Sequence, residues 1–266
     1  MNQIVHKYSA ITLMNLQNQL AYVWDALGRA VFIVLIMFIF VQLWSVVYES
    51  QDAGEIAGLT LADTIWYFLI AEMIELGKFR HDQRISEEVK DGSIAYTMIR
   101  PYNYLAYHFF NGMGETVVKM SLIFLLGLPI VLFSVGLPSI PLVSVFPVVG
   151  ILILALLLDF FMASSIGLLA FVVEDTFPFR LIYQKFIFIL GGLLIPLDFL
   201  PLWLQRIARV LPFSQVTYAP AKLFVSFEWQ RFFGILSLQL IWLGIMGLLL
   251  FIQYRWATRR LAVNGG

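Results

Sequence analysis

The chain of 266 residues contains no cysteine. That absence excludes disulfides, thiolate metal sites and thiol catalysis, and it leaves the redox compartment open. Charge is also scarce. Asp, Glu, Lys and Arg make up 13% of the residues, against about 25% in a soluble domain. The 17 basic and 17 acidic groups cancel, so no positive field exists to attract nucleic acid. The three histidines, His6, His81 and His108, lack metal-ligand spacing. Gly77-Lys78 is followed by Phe79, which rules out a phosphate-binding P-loop there, and no Gly-x-Ser-x-Gly is present. The sequence shows no catalytic residues and no metal site.

Apolar residues are what the chain has in excess. They reach 61%, with a mean hydropathy of +0.86, too much for a buried core alone. Lipid must be the main solvent. A helix crosses the hydrocarbon core with about 20 apolar residues. Ala30 to Tyr48 is the clearest span. Thr116 to Gly136 follows, with Lys119 able to snorkel near one end. Leu142 to Val173 is longer than a span needs, so it tilts or projects. Leu181 to Pro196 is short, and Phe233 to Tyr254 is the last. Ile56 to Leu76 carries Asp63, Glu72 and Glu75, and topology decides its assignment. Lys and Arg favour the cytoplasmic side. Counting it as the second of six spans keeps Lys7, Arg29, Lys78, Arg80, Arg84, Lys90, Arg100, Arg255, Arg259 and Arg260 inside, with both termini. The acidic loop with Glu49, Asp52 and Glu55, and the uncharged Pro138-Ser139-Ile140-Pro141 loop, then lie outside. Arg206, Arg209, Lys222 and Arg231 also fall outside, in a longer loop where the rule is weaker.

Outside the spans, residues 8–28 place Leu13, Leu16, Leu20, Val23, Trp24 and Leu27 at helical spacing, with Asn15, Asn18 and Asp25 away from them. This fits an interfacial helix lying on the membrane, or a helix packed on the protein itself. Residues 77–114 form a long cytoplasmic loop. In it Arg84, Ile85, Ser86, Glu87, Glu88, Val89, Lys90 and Asp91 make a short charged helix that Gly92 terminates. Pro101 starts a second helix, rich in aromatics around Tyr104, Tyr107 and His108. The loop is either a solvated surface or a docking face whose apolar centre is Ile85 and Val89. Residues 197–231 hold a short amphipathic helix in which Trp203, Ile207 and Val210 share a face. Together with the short fifth span and its Gly191-Gly192 pair, they suggest a partly re-entrant outer segment. Glu174-Asp175 reads as a solvated helix cap. Asp159 stands inside the fourth span, where a carboxylate costs roughly 2.5–3.5 kcal/mol on insertion scales. It serves an interhelix contact or a substrate path.

This order of elements resembles the membrane-spanning permease subunit of type-2 ABC exporters. Two stretches carry the resemblance, which extends over essentially the whole chain. Glu88-Val89-Lys90-Asp91-Gly92-Ser93-Ile94 through Met98-Ile99-Arg100-Pro101 is similar to the family segment ending in Arg-Pro. Gly191 through Pro196, with Phe199-Leu200-Pro201 and Leu211-Pro212-Phe213, is similar to the Pro-rich signature before the last span. The resemblance implies an all-α integral membrane protein: one six-span permease domain over 1–266, an elbow helix in 1–28, a coupling helix at Arg84–Gly92 and an outer segment at 197–231. It further implies a second permease copy or a paralogous permease, and a separate ATP-binding-cassette ATPase that binds the ATP and Mg. The chain itself would hold no cofactor. Substrates in this family include lipids, polysaccharides, antibiotics and peptides, moved outward across a bacterial cytoplasmic membrane. A membrane-embedded lipid-modifying enzyme and a proton-coupled secondary transporter using Asp159 remain the rival classes.

Overall fold

The computed structural model describes residues 2–52, 54–138, 140–173 and 175–264. Ser139 and Glu174 of the loops above lie outside the described residues, as do the side chains of Arg29 and Arg260. The described chain is almost entirely helical, with one two-residue-per-strand hairpin, β1 (Glu55–Ile56) and β2 (Leu59–Thr60). In order, the helices are α1 (Asn2–Ala21), α2 (Val23–Ala30), α3 (Phe32–Ser50), α4 (Leu61–Gly77), α5 (His81–Lys90) and α6 (Ile94–Met98). They continue with α7 (Tyr104–Val135), α8 (Val145–Leu168), α9 (Phe177–Leu190), α10 (Leu202–Val210), α11 (Pro212–Val216), α12 (Tyr218–Val225) and α13 (Trp229–Asn264).

Four helical stretches among the described residues are long and apolar enough to cross a membrane: Val23–Ser50, Tyr104–Val135, Leu142–Phe171 and Trp229–Arg259. The helix expected from Ile56 is different. Ile56 belongs to the hairpin, and α4 begins at Leu61 behind a capping box. Thr60 Oγ1 accepts from the Asp63 backbone N–H at 3.1 Å, and Asp63 accepts from the Thr60 N–H at 3.1 Å. Asp63 thus closes the helix start instead of burdening its middle. At 17 residues, α4 is about 25 Å long, yet nearly every side chain from Thr64 to Gly77 is buried among other helices. A helix so enclosed has no lipid-facing stripe and can carry Glu72 and Glu75.

Two expected boundaries move. The aromatic helix does not start at Pro101 and does not stop before the third span. The Asn103 side chain accepts from Ala106 N–H at 2.9 Å, and α7 then runs unbroken for 32 residues, about 48 Å. It extends beyond a hydrocarbon core of about 30 Å. The amphipathic segment at 8–28 divides at Tyr22 into α1 and α2. One side of α1 turns polar groups onto α7. Thr12 Oγ1 donates to Phe110 O at 2.8 Å, Asn15 Nδ2 to Asn111 Oδ1 at 3.2 Å, and Tyr8 stacks on Phe110. Leu13, Met14, Leu20 and Trp24 are left exposed. Polar contacts hold α1 on α7, while Asn18 and Asp25 are exposed beside those apolar groups and Leu16, Val23 and Leu27 are half-buried.

The break after α9 is a further departure. The helix ends at Leu190, and Gly192 adopts φ +74°, a left-handed conformation open to glycine. The freed carbonyls are captured: Thr217 Oγ1 donates to Gly191 O at 2.5 Å and Tyr67 OH to Gly192 O at 2.7 Å. Non-helical backbone at membrane depth requires such partners. Helices α10 to α12 follow, with α12 packed against α4 and α8.

Candidate coupling site

Helix α5 follows α4 after a three-residue joint, Lys78 to Arg80, and packs on the end of α8. It ends at Lys90. Asp91 is the C-cap and Gly92, at φ +76°, takes the left-handed position that stops the helix. Its 3.6-residue period gives it two faces. His81, Asp82, Ile85, Ser86 and Glu88 are buried. Gln83, Arg84, Glu87 and Lys90 are exposed, as are Asp91 and Gly92.

This division corrects the expected docking centre. Ile85 is fully buried in the chain's own core with Ile94, Tyr104, Phe160, Leu168, Leu250 and Ala257, and Val89 packs half-buried beside them. Lipid-embedded α8 offers α5 an apolar seat, and an exposed Ile85 would forfeit about 1.5–3 kcal/mol of burial. Gly167 makes the seat close. A Cβ there would stand 2.8 Å from Ile85 Cβ and 3.0 Å from Asp82 O.

Polar contacts lock the buried face. Glu88 accepts from Tyr104 OH at 2.9 Å, lies 3.1 Å from His108 Nε2 and pairs with Arg84 Nε at 3.1 Å. Burial pushes the Glu88 carboxyl up, but His108 and Tyr104 outweigh it and hold the group below its usual value. Ser86 Oγ and Thr176 Oγ1 are 2.7 Å apart, Lys90 Nζ donates to Asp175 Oδ1 at 3.1 Å, and Arg180 Nε lies 3.8 Å from Asp82 Oδ2. Helix α5 is therefore fastened to the segment that starts α9. Burial pushes Asp82 up, partly countered by the Gln83 backbone and by Arg80 and Arg180. His81 is packed against Phe79 and Phe160, and burial lowers its imidazole to about 3, so it is neutral at pH 7. Among the described residues no group of His, Cys, Asp or Glu has the arrangement to hold a metal.

A buried ion cluster sits where α4 gives way to α5. Lys78 Nζ is 2.9 Å from Asp159 Oδ1 and 2.7 Å from Glu75 Oε2. The Glu75 contact is an ion pair without hydrogen-bond alignment. Tyr183 OH donates to Asp159 Oδ1 at 2.6 Å, and Arg80 Nη2 reaches Glu75 Oε1 at 4.0 Å. Of the two roles open to Asp159, an interhelix contact is the one seen: it joins α4, α8 and α9. Sequence reading missed Lys78, Glu75, Tyr183, Thr176 and Asp175 as partners. The i,i+3 spacing of Glu75 and Lys78 was the one available signal.

Helix α5 is exposed on one face, and its other face is tied to α7, α8 and the start of α9. No curated protein matches the chain. The family model described as ABC-2 family transporter protein matches residues 7–265. The chain therefore belongs to the ABC-2 transporter family and is a multi-pass membrane subunit of an ABC transporter.

Proposed function

We propose that the chain is the permease of an ATP-driven exporter and that α5 is where a separate ATP-binding-cassette subunit docks. The observation that carries this reading is the two-faced α5. Its exposed face presents Arg84, Glu87, Lys90 and Asp91, charges of both signs suited to electrostatic matching with a soluble partner. Its buried face packs on α8 and bonds to α7 and to the start of α9. ATP and Mg belong to the partner, and this chain supplies the moving helices. A second permease, identical or paralogous, completes the pathway. The six-span reading counts α4 and α9 with the four longer stretches. It puts both termini and α5 in the cytoplasm, the hairpin and α10 outside, and the chain in a bacterial cytoplasmic membrane. The cargo class is a lipid, polysaccharide, antibiotic or peptide. Affinity capture of the tagged chain from its host membrane tests the reading. An ATP-binding-cassette ATPase should co-purify, and its absence from gently solubilised membranes would refute the docking role.

A further inference from the structure

At the end of α4 away from α5, next to the hairpin, lies a cavity of about 480 Å³. Its lining includes Asp198, Arg209, Gln215, Tyr218, Lys222 and Arg231. We propose that this cavity binds the anionic group, phosphate or carboxylate, of a molecule larger than a bare phosphate ion.

Charge is the first argument. Three cations line the cavity against one carboxylate. Asp198 already accepts from Arg209 Nη2 at 2.8 Å and Tyr218 OH at 3.1 Å, and its other oxygen forms an ion pair with Lys222 Nζ at 3.0 Å. One carboxylate cannot neutralise three cations. Glu228, 3.1 Å from Arg231, offsets one of them from the exposed side, which leaves a positive excess. Burial is the second argument. The Lys222 side chain is 8% exposed, and its ammonium has three donors for which Asp198 is the ion partner among the described residues. A buried cation with spare donors is costly unless an acceptor is supplied. The volume is in the range of small-molecule sites and exceeds the needs of a bare phosphate ion.

The same chemistry can arrive as a solute or as a lipid headgroup, and two arms separate them. In the first, the purified permease in phosphatidylcholine nanodiscs is titrated calorimetrically with glycerol 1-phosphate at fixed ionic strength. In the second, phosphatidylglycerol is added to the nanodiscs and its retention is read by native mass spectrometry. Binding in either arm should weaken about 10-fold in Arg231→Gln, a peripheral change that leaves the Asp198 contacts intact, given the usual strength of a charge-assisted hydrogen bond. Asp198→Asn should tighten binding several-fold, because it removes the competing carboxylate. No binding by the parent in both arms, or binding indifferent to Arg231→Gln, overturns the proposal, as does weaker binding by a folded Asp198→Asn. Neither arm uses an ATPase, so the outcome is independent of the docking role of α5.

Discussion

Lys78, at the end of α4, and Asp159 in α8 form a buried ion pair of 2.9 Å although they stand 81 residues apart in the sequence. The pair is asymmetric. Lys78 has a second carboxylate, Glu75, whereas Lys78 is the one cation paired with Asp159 among the described residues. Lys78→Met strands Asp159, leaves Glu75 with the longer 4.0 Å contact to Arg80, and should cost about 3–5 kcal/mol. Asp159→Asn leaves the Lys78–Glu75 pair and an amide that can still accept from Tyr183, and should cost about 1–3 kcal/mol. Melting of the purified variants in detergent measures the order. Equal losses would show that Glu75 does not hold the lysine.

The exposed face of α5 can be changed without touching the core. Among the described residues the Glu87 carboxylate bonds only to its neighbour Gln83, at 2.8 Å. Glu87→Lys should leave melting unchanged and lower ATPase co-purification, more so at low salt than at high salt. Ile85→Ala should instead lower the melting temperature, by a cavity cost of about 2–5 kcal/mol. If Glu87→Lys leaves association unaffected across salt concentrations, this face is not the contact.

Gly167 sets the distance between α5 and α8. In Gly167→Ala the new methyl meets Ile85 Cβ at 2.8 Å, inside normal contact. Overpacking of this kind costs about 1–3 kcal/mol. The expected phenotype is an α5 pushed from its seat, with ATP hydrolysis less responsive to substrate although the ATPase still binds. Normal stimulation would mean that the seat adapts.

The pH dependence should trace in part to His81. Its folded value is lowered by burial from 6.5 to about 3. The unfolded chain therefore takes up a proton as pH falls through 6.5, and the folded chain does so only near 3. Stability is complete above 6.5 and declines as pH falls towards 3. His81→Gln removes this contribution, so the drop in melting temperature between pH 7.5 and pH 5.5 should be smaller than in the parent. An identical drop would exclude His81.

Topology is testable because the chain has no cysteine of its own. Ser86 is buried against Thr176 and makes a poor labelling site. Glu87 and Glu228 are exposed. An impermeant thiol reagent should label Glu228→Cys in intact cells and Glu87→Cys only after permeabilisation. The reverse pattern would invert the assigned sides.

Hydropathy and charge asymmetry were enough to identify a helical membrane protein and to mark α5 as a charged helix ended by Gly92, because both depend on local composition and on residues a few positions apart. Periodicity also grouped Ile85 with Val89. It could not say which neighbour that face meets, and tertiary packing turned it onto α8 and left the charges outside. In the same way, Asp63 looked like a burden on a span until the hairpin placed Thr60 to receive it as a cap. Sequence marked Asp159 as needing a partner, since an isolated carboxylate in lipid is costly. It gave no means of finding Lys78, because the distance between them along the chain carries no periodic signal. The same holds for the break at Gly191-Gly192. The glycines permit it, but Tyr67 of α4 and Thr217, at the junction of α11 and α12, supply the donors that let the backbone stop there.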